Sequence, residues 1–346
     1  MTFAITPVDL LADLEELSRV LKRNLPDVSH EIRFSWLYLE NPAGPARAWF
    51  IRNSTGHAVG VASLFPRAAW LAGTPIVCGQ VGDFGVDIGF RSLGPATMLQ
   101  RATFEPVLRG ELALCYDCPP HEKGMAMFYR LGLKENCRMY WHVKLLRTDI
   151  RLQRMLGEGV GRASASLANL VLRMTCRRMK GPFGVEFALH TGDFGPEFSA
   201  LDKAVSSPGA VRIRRTAEDL NWCYRANPLQ QFETLTARRN GELIAYVIIS
   251  ITHNDASVID LFGRELEEVG PALLHNFVEL LQPRRIETIR ALVAEDARST
   301  AVFRRAGFSH RAPAARVVAF SAPGSAADRM LKNGLRWDFQ HCDVMA

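Results

Sequence analysis

A seven-residue pattern that occurs twice constrains the fold of this chain more than any other feature. Trp36–Pro42 and Trp222–Pro228 share Trp, Tyr, Asn and Pro in the same register. Each copy is followed by an extended stretch, a turn and a β-branched segment, with the turns at Asn53–Gly56 and Asn240-Gly241. Because Asn-Gly between apolar residues is a strong hairpin signal, the repetition predicts two units of similar plan.

A second repeated pattern follows further along the chain in each half. Phe128–Leu133 is matched by Phe303–Phe308, and each segment closes a short predicted helix before a strand. Glycine suits the end of a helix because it adopts a left-handed conformation at little cost. The 346 residues are therefore interpreted as two α+β domains, 1–147 and 182–346, joined by a helical connector over 148–181.

The first half carries the clearer secondary-structure pattern. Thr6–Asp9 is predicted to cap a helix whose Leu10, Leu14, Leu17 and Leu21 share one face. The strands are predicted near 47–53, 57–65, 67–72, 75–88, 111–117 and 133–147, and further helices near 95–109 and 121–131.

The connector has an apolar stripe and a basic end. The stripe contains Leu167, Leu170, Val171 and Met174, and the basic residues are Arg173, Arg177, Arg178 and Lys180. A basic amphipathic helix can lie on a membrane surface. The favoured interpretation is an interdomain helix, because cations at its carboxyl end stabilise the helix dipole.

Composition excludes few functions. With 48% hydrophobic and 23% charged residues the chain is typical of a soluble globular protein. The net charge of +6 suits anionic ligands but does not choose between cofactor phosphates, nucleic acid and lipid. The first 25 residues interrupt their leucines with carboxylates, so neither a secretory core nor a membrane span is expected there. We therefore expect a cytoplasmic protein with no DNA partner.

The seven cysteines are odd in number and scattered, which favours reduced thiols. Cys115 and Cys118 are spaced as a metal-binding pair, with His121, Cys137 and His142 as the nearby residues that would complete a site. A buried strand followed by a turn at the next two prolines explains the same residues. We expect no metal.

The most specific motif runs from a strand into a helix over Val86–Ala96 and contains Arg-x-x-Gly-x-Ala. Gly94 allows the backbone to approach a ligand closely, and the first turn of the helix directs unpaired N–H groups toward an anion. Pro95 is favoured at the first helical position, although it removes one donor. The segment predicts a cradle for a pyrophosphate.

In its context this motif resembles the acetyl-CoA-binding region of the GNAT superfamily of N-acyltransferases. The resemblance covers residues 30–147, and 215–320 more loosely. It implies a mixed, mostly antiparallel sheet flanked by helices in each of two tandem domains, with the sheet splayed at its middle strands and pantetheine in the split. It also implies cofactor contacts from Arg91, Ser92, Leu93, Gly94 and Ala96.

The second repeat departs from the cofactor loop. The corresponding segment, 262–270, contains Glu265, Glu267 and Glu268, which would repel a pyrophosphate. We therefore expect one cofactor site, in the first domain.

Acyl transfer to an amine requires a base for the amine and an acid for the leaving thiolate. Asp83 is the predicted base and Asp87 the fallback, although Asp83 is equally well explained as a structural carboxylate. The resemblance implies that the general acid is a tyrosine four residues before the glycine that closes the next helix. This chain has Phe128 at that position. Tyr129 is the predicted acid, but a shift of one residue rotates a helical side chain by about 100°. Tyr116 is the alternative.

The expected function is transfer of an acyl group, with acetyl-CoA as the expected donor, to a primary amine. The resemblance to tandem bacterial members associated with envelope polysaccharide points to an amino sugar as acceptor, in a groove shaped by the second domain. Two alternatives remain: an aminoacyl or peptidoglycan-type transferase that uses aminoacyl-tRNA, and a non-catalytic acyl-CoA-binding module.

Overall fold

The strands alternate with helices along the chain in a similar order in both halves. The structure, a computed structural model, describes residues 2–28, 30–91, 93–119, 122–149, 157, 159 and 181–344. The predicted connector therefore lies almost wholly outside the described residues. The strands are β1 (Ala4–Pro7), β2 (Arg47–Arg52), β3 (Ala58–Leu71), β4 (Thr74–Val86), β5 (Cys115–Asp117), β6 (Cys137–Leu145), β7 (Val185–His190), β8 (Ala210–Ile213), β9 (Phe232–Arg239), β10 (Glu242–Thr252), β11 (Asp255–Gly263), β12 (Thr288–Ala294), β13 (Ser309–Phe320) and β14 (Arg336–Trp337).

The helices pack on both faces of the sheet. They are α1 (Leu14–Asn24), α2 (His30–Phe34), α3 (Leu93–Leu108), α4 (Glu122–Arg130), α5 (Pro196–Ala204), α6 (Ala217–Leu220), α7 (Leu266–Leu281), α8 (Ser299–Arg305) and α9 (Ala326–Lys332). Short π-helical turns lie at Ser35–Leu39 and Asn221–Arg225, within the two copies of the repeated pattern.

The sheet has the order β1-β2-β3-β4-β5-β13-β6-β12-β11-β10-β9-β7; β8 joins it through β3, and β14 pairs with β8. The pairs β4–β5, β11–β12 and β8–β14 are parallel, and all other strand pairs described are antiparallel. The predicted α+β class, with a mixed and mostly antiparallel sheet flanked by helices, is confirmed.

Each half contributes one strand to the part of the sheet that the other half forms. β6, from the first half, pairs with β12 of the second, while β13, from the second half, pairs with β5 of the first. The largest apolar cluster accordingly contains Tyr116 and Met139 together with Val258 and Leu292. The boundaries near 147 and 182 thus separate two halves of one sheet, and the independent folding of those halves stays a prediction.

The helices of the first half define two faces of its sheet. Leu17 and Leu21 of α1 cluster with Val61 and Phe65 of β3, on what we call the α1 face. Leu99 of α3 belongs to a different cluster, with Val59 and Ala62 of the same strand. α4 shares this second face, because Phe84 of β4 clusters with residues of both α3 and α4. We call it the α3 face.

Several local predictions are confirmed. Asn240 and Gly241 have φ values of +50° and +81°, as a tight hairpin turn requires. The echoed helix ends are closed by the same bond in both halves, from the Leu133 amide to the Phe128 carbonyl (2.9 Å) and from the Phe308 amide to the Phe303 carbonyl (3.0 Å).

Two local predictions were wrong. The first helix begins at Leu14, because Asp9 caps a preceding turn by accepting the amides of Leu11 and Ala12 at 3.0 Å each. The strands predicted at 57–65 and 67–72 form one strand, β3, that continues through Pro66. Pro66 is tolerated because its missing N–H falls where the pairing of β3 with β2 has ended and that with β8 has not begun.

The repeated tryptophans meet at the contact between the halves. The Trp36 indole N–H donates to the Trp222 carbonyl (2.7 Å), and the Trp222 indole N–H donates to the Trp36 carbonyl (2.9 Å). Their rings stack with centroids 5.2 Å apart. The reciprocal bonds relate the two copies of the pattern by a local pseudo-twofold axis.

Candidate active site

The parallel strands β4 and β5 separate soon after they meet. They pair at Gly79 with Cys115 and at Gln80 with Tyr116, after which β4 continues to Val86 without β5 beside it. Where neighbouring strands diverge, backbone N–H and C=O groups face the gap and require another partner. This gap, which we call the first split, lies beside the start of α3.

A β-bulge lies in β4 at the edge of the first split. Val61 and Ser63 of β3 pair with Gly85 and Gly82, so β4 contains one residue more than β3 over this interval. Asp83 lies within the bulge with a φ of +46°, a left-handed conformation that Asp tolerates better than most residues. The bulge turns the Asp83 side chain toward the α1 face.

Buried donors hold the Asp83 carboxylate. Arg33 of α2 forms an ion pair with one oxygen, and the Tyr38 hydroxyl donates to the other at 2.6 Å. The Ser63 hydroxyl lies 2.9 Å from that of Tyr38. Burial and the charge of Asp83 raise the pKa of Tyr38 well above its ordinary value. The predicted base thus lies next to the split, and each of its carboxylate oxygens already accepts a hydrogen bond.

The predicted cofactor loop leads from β4 into α3. The Arg91 Nε donates to the Val86 carbonyl at 2.9 Å, which folds this exposed side chain against the end of β4. Gly94 is exposed, Ala96 is half-buried beside Phe84, and Ser92 lies outside the described residues together with the side chain of Leu93. α3 begins at Leu93, so Pro95 is its third residue rather than its first, as had been predicted.

The first turns of α3 and α7 differ in charge. The first turn of α3 contains no acidic residue, whereas that of α7 contains Glu267 and Glu268. Glu265 precedes α7 and pairs with Arg239, which also pairs with Glu268 at 3.1 Å. Since a helix N-terminus attracts anions, α7 already has carboxylates where α3 is free to accept a ligand anion.

The corresponding split in the second half is filled by the chain itself. β11 and β12 pair from Asp255 to Val258 and then diverge. The Gln340 side chain enters the gap, accepting from the Leu261 amide (3.0 Å) and donating to the Leu261 carbonyl (2.9 Å). Beside it the Phe339 carbonyl accepts from the Ala294 amide at 2.9 Å. The C-terminal segment therefore satisfies strand groups that would otherwise face a ligand.

The bulge of β11 contains a second aspartate in a similar setting. Asp260 accepts a hydrogen bond from the Tyr246 hydroxyl (2.9 Å) and pairs with Arg215 (3.1 Å). Burial raises the pKa of Asp260 despite the attraction of Arg215. Both halves thus place an Asp–Arg–Tyr group at the bulge, although one split is filled.

Neither of the tyrosines predicted as acids is buried on the α3 face at the first split. Tyr129 is 51% exposed, while Phe128 is buried against Phe84, as the rotation of one helical residue predicts. Tyr116 is buried on the α1 face of β5, where its hydroxyl donates to the Asp343 carbonyl at 2.8 Å. Burial raises the pKa of Tyr116 well above its ordinary value.

Sequence reasoning missed Asp117. It is the last residue of β5 and, by strand alternation, shares the α3 face with Cys115, which clusters with Phe104 of α3. Burial raises the pKa of this carboxyl from 3.8 to about 7. An acidic residue at the end of a short apolar strand, two positions after a buried cysteine, was the available signal.

The other candidate residues are structural or lie elsewhere. Asp87, the fallback base, pairs with Arg23 (2.8 Å) and accepts from Asn24 (2.7 Å) of α1. Cys115 and Cys118 are free thiols, and His121 lies outside the described residues. Among the residues described, no group of three or more His, Cys, Asp or Glu side chains is arranged to hold a metal ion.

Comparison with known proteins rests on structure, since no protein-family model matches the chain and no curated protein matches its sequence. A probable N-acyltransferase from Enterococcus faecalis V583 superposes with a TM-score of 0.66 at 9% identity, over 92% of this chain and 72% of that one. A GCN5-related N-acetyltransferase from Anabaena variabilis superposes with a TM-score of 0.63 at 12% identity, over the same shares.

The chain has the GNAT fold. Saccharomyces cerevisiae N-myristoyltransferase with bound myristoyl-CoA also superposes, with a TM-score of 0.56 at 12% identity over 92% of this chain and 82% of that one. Each of these superpositions includes residues of both halves. No helix among the described residues combines the length and apolar character needed to span a bilayer.

Proposed function

We propose that this chain is an N-acyltransferase that uses acyl-CoA and acts on a primary amine, with one cofactor site in the first half. The observation that carries the proposal is the contrast between the two splits. Both splits lie beside a bulge, but the first has an uncharged helix start next to it, whereas the second has an acidic helix start and is filled by Gln340 and Phe339. The GNAT neighbours support acyl transfer as the chemistry.

The residues around the first split fit the donor. The backbone between Gly94 and Ala96 and the guanidinium of Arg91 would hold the diphosphate, with Ser92 and Leu93 as sequence-predicted contacts. The diverging edge of β4 offers backbone groups to an extended pantetheine. When bound, acyl-CoA supplies the thioester acyl group, and amides at the β4 bulge would stabilise the developing oxyanion.

We assign the proton for the leaving thiolate to Asp117. The carboxyl lies at the end of β5, on the face that α3 and α4 cover, where the predicted tyrosine is replaced by Phe128. A carboxyl that keeps its proton to a pH of about 7 can donate it near neutrality, whereas an ordinary aspartate cannot. Tyr129 stays a candidate acid only if α4 moves on binding.

Asp83 serves this reaction as the proposed base or as a positioning residue. Tyr38 lies between Asp83 and Ser63, so a proton taken up by the Tyr38 oxygen would pass to the carboxylate as Tyr38 releases its own. The positioning role is favoured by Asp260, which has the same type of partners beside the filled split.

Donor binding is tested by calorimetry with acetyl-CoA and an Arg91→Glu variant. We expect the variant to lose at least about tenfold in affinity, because it places a carboxylate beside the diphosphate. Arg109→Glu makes the same change in charge at the other end of α3 and should bind as the native chain does. Equal binding by Arg91→Glu would remove the loop from the proposal.

The acyl group and the acceptor are proposed more narrowly. Acetyl is the first donor to test, and a series from acetyl-CoA to myristoyl-CoA measures chain-length preference, since one neighbour binds myristoyl-CoA. For the acceptor we propose an amino sugar. Release of free thiol from acetyl-CoA in the presence of glucosamine would support it, and thiol release with simple alkylamines alone would contradict it.

A further inference from the structure

The second half contains an open cavity of about 590 Å³ that the cofactor chemistry does not use. It is formed by the end of the repeated pattern and the start of β9, and we call it the outer cavity. Its lining includes Tyr224, Arg225, Asn227, Gln230 and Gln231. A guanidinium and several side-chain amides in one concave site suit a polar ligand with an oxyanion.

Arg225 supplies a cation to the outer cavity, and no carboxylate of the described part of the chain forms an ion pair with its guanidinium within 4.0 Å. Its Nε and Nη2 atoms are shielded from solvent and have no hydrogen-bond partner among the described residues. The guanidinium lies 4.8 Å from the centre of the Phe194 ring, which holds it in place. Burial lowers the pKa of Arg225, and attraction by Asp193 opposes this only in part. Two shielded N–H groups without a partner on a partly buried cation cost free energy that a bound anion would offset.

A smaller cavity of about 20 Å³ adjoins the outer one. The two share Tyr224 and Asn227 in their linings, and the smaller one also contacts Arg67 and Cys342. Arg67 is 6% exposed and lies 5.6 Å from the Trp222 ring centre, with no carboxylate within 4.0 Å among the described residues. The two adjoining cavities thus connect Arg225 in the second half with Arg67 in the first, so a cation lines each of them.

The smaller cavity reaches the α1 face near the first split. Arg67 is two residues from Phe65 on β3 and shares its face, opposite the face that α3 covers. Arg67 reaches the Cys342 carbonyl at 3.5 Å, and the next carbonyl, of Asp343, accepts from Tyr116 in the last β4–β5 pair. A donor on the α3 face and an acceptor on the α1 face would meet at the split.

We propose that the outer cavity is the acceptor site and that it selects acceptors carrying a carboxylate or phosphate in addition to the amine, through Arg225. This inference rests on the proposed acyl transfer. A planar guanidinium binds either oxyanion through paired hydrogen bonds, so both anions share one chemistry.

The test is calorimetry without cofactor, using three amines that differ in their anion. Glucosamine has none, glucosaminic acid has a carboxylate and glucosamine 6-phosphate has a phosphate. We expect at least one of the two anionic amines to bind about tenfold or more tightly than glucosamine, and the stronger of the two identifies the anion. No preference over glucosamine, or no binding of either anionic amine at millimolar concentration, would overturn the proposal.

Variants locate the preference. Arg225→Gln should abolish it, Arg225→Lys should keep part of it, and Arg19→Gln, which removes the same charge from an exposed site on α1, should leave it intact. If Arg225→Gln unfolds, Arg225→Lys decides the matter, because an unchanged preference in that variant overturns the assignment to the planar guanidinium. The affinity for acetyl-CoA is measured in parallel. If the native chain does not bind acetyl-CoA, the proposed function is refuted. If the native chain binds acetyl-CoA but shows no preference for anionic amines, only this inference is refuted.

Discussion

Replacing Asp117 with asparagine should raise stability above neutral pH and lower catalytic activity. In the folded chain burial raises the pKa of this carboxyl from 3.8 to about 7. Below pH 3.8 both the folded and unfolded states hold the proton, so the group has no effect on stability. As the pH rises from 3.8 to 7 only the unfolded state releases it, so the free energy of unfolding falls, and above pH 7 the loss is complete.

The size of the effect follows from the displacement of that pKa. At about 1.4 kcal/mol for each pH unit the upper bound is about 4 kcal/mol, and partial exposure of Asp117 reduces it toward about 2 kcal/mol. Urea denaturation at intervals from pH 5 to pH 8 measures it. The native chain should lose stability relative to Asp117→Asn across this range, while the two should differ little near pH 4.

A carboxyl with the opposite displacement provides the control. The Lys332 ammonium lowers the pKa of Asp328, so Asp328→Asn should never be more stable than the native chain above pH 5. For activity, Asp117→Asn should lower kcat by about 100-fold and remove the decline in rate above pH 7. A constant stability difference between the native chain and Asp117→Asn from pH 5 to pH 8 would refute the burial argument, and an unchanged kcat would refute the role as acid.

Two further predictions concern the splits. Gln340→Ala removes the hydrogen-bond partners of the buried Leu261 amide and carbonyl, so the free energy of unfolding, measured by denaturation, should fall by about 2–4 kcal/mol. A decrease below about 0.5 kcal/mol would mean that the C-terminal segment does not fill the second split. Asp83→Asn removes the charge on Asp83 from its buried ion pair with Arg33, so the free energy of unfolding should fall by about 3 kcal/mol, whereas Asp87→Asn, at a partly exposed pair, should lower it by less than about 1 kcal/mol. An Asp83→Asn chain with native stability and a reduced kcat would instead favour the base role.

Local sequence patterns predicted most individual elements of the first half. The run around Gly94 predicted a strand that leads through a loop into a helix, and in the second half Asn240-Gly241 predicted a hairpin because few residues adopt its dihedral angles. The first helix was placed too early because Asp9 has the chemistry of a helix cap and caps a turn instead. Pro66 was read as a strand break, since a sequence does not show that one edge of a strand lacks a neighbour.

Features that depend on distant partners were not predictable in this way. The alternating pattern of β6 identifies a strand but not that β12 and β13 flank it. The role of Gln340 beside Leu261 depends on residues 79 positions apart. Asp117 was overlooked because its burial depends on the packing of α3 and α4 rather than on its neighbours in sequence.

The pairing of β13 with β5 has a consequence for synthesis of the chain. During translation the free edge of β5 is exposed until Ser309–Phe320 has been made, because β13 is its neighbour in the finished sheet. An unpaired strand edge readily joins edges from other molecules. The nascent first half should therefore need protection on the ribosome, and overproduction at low temperature or with added chaperones should give more usable protein than rapid synthesis.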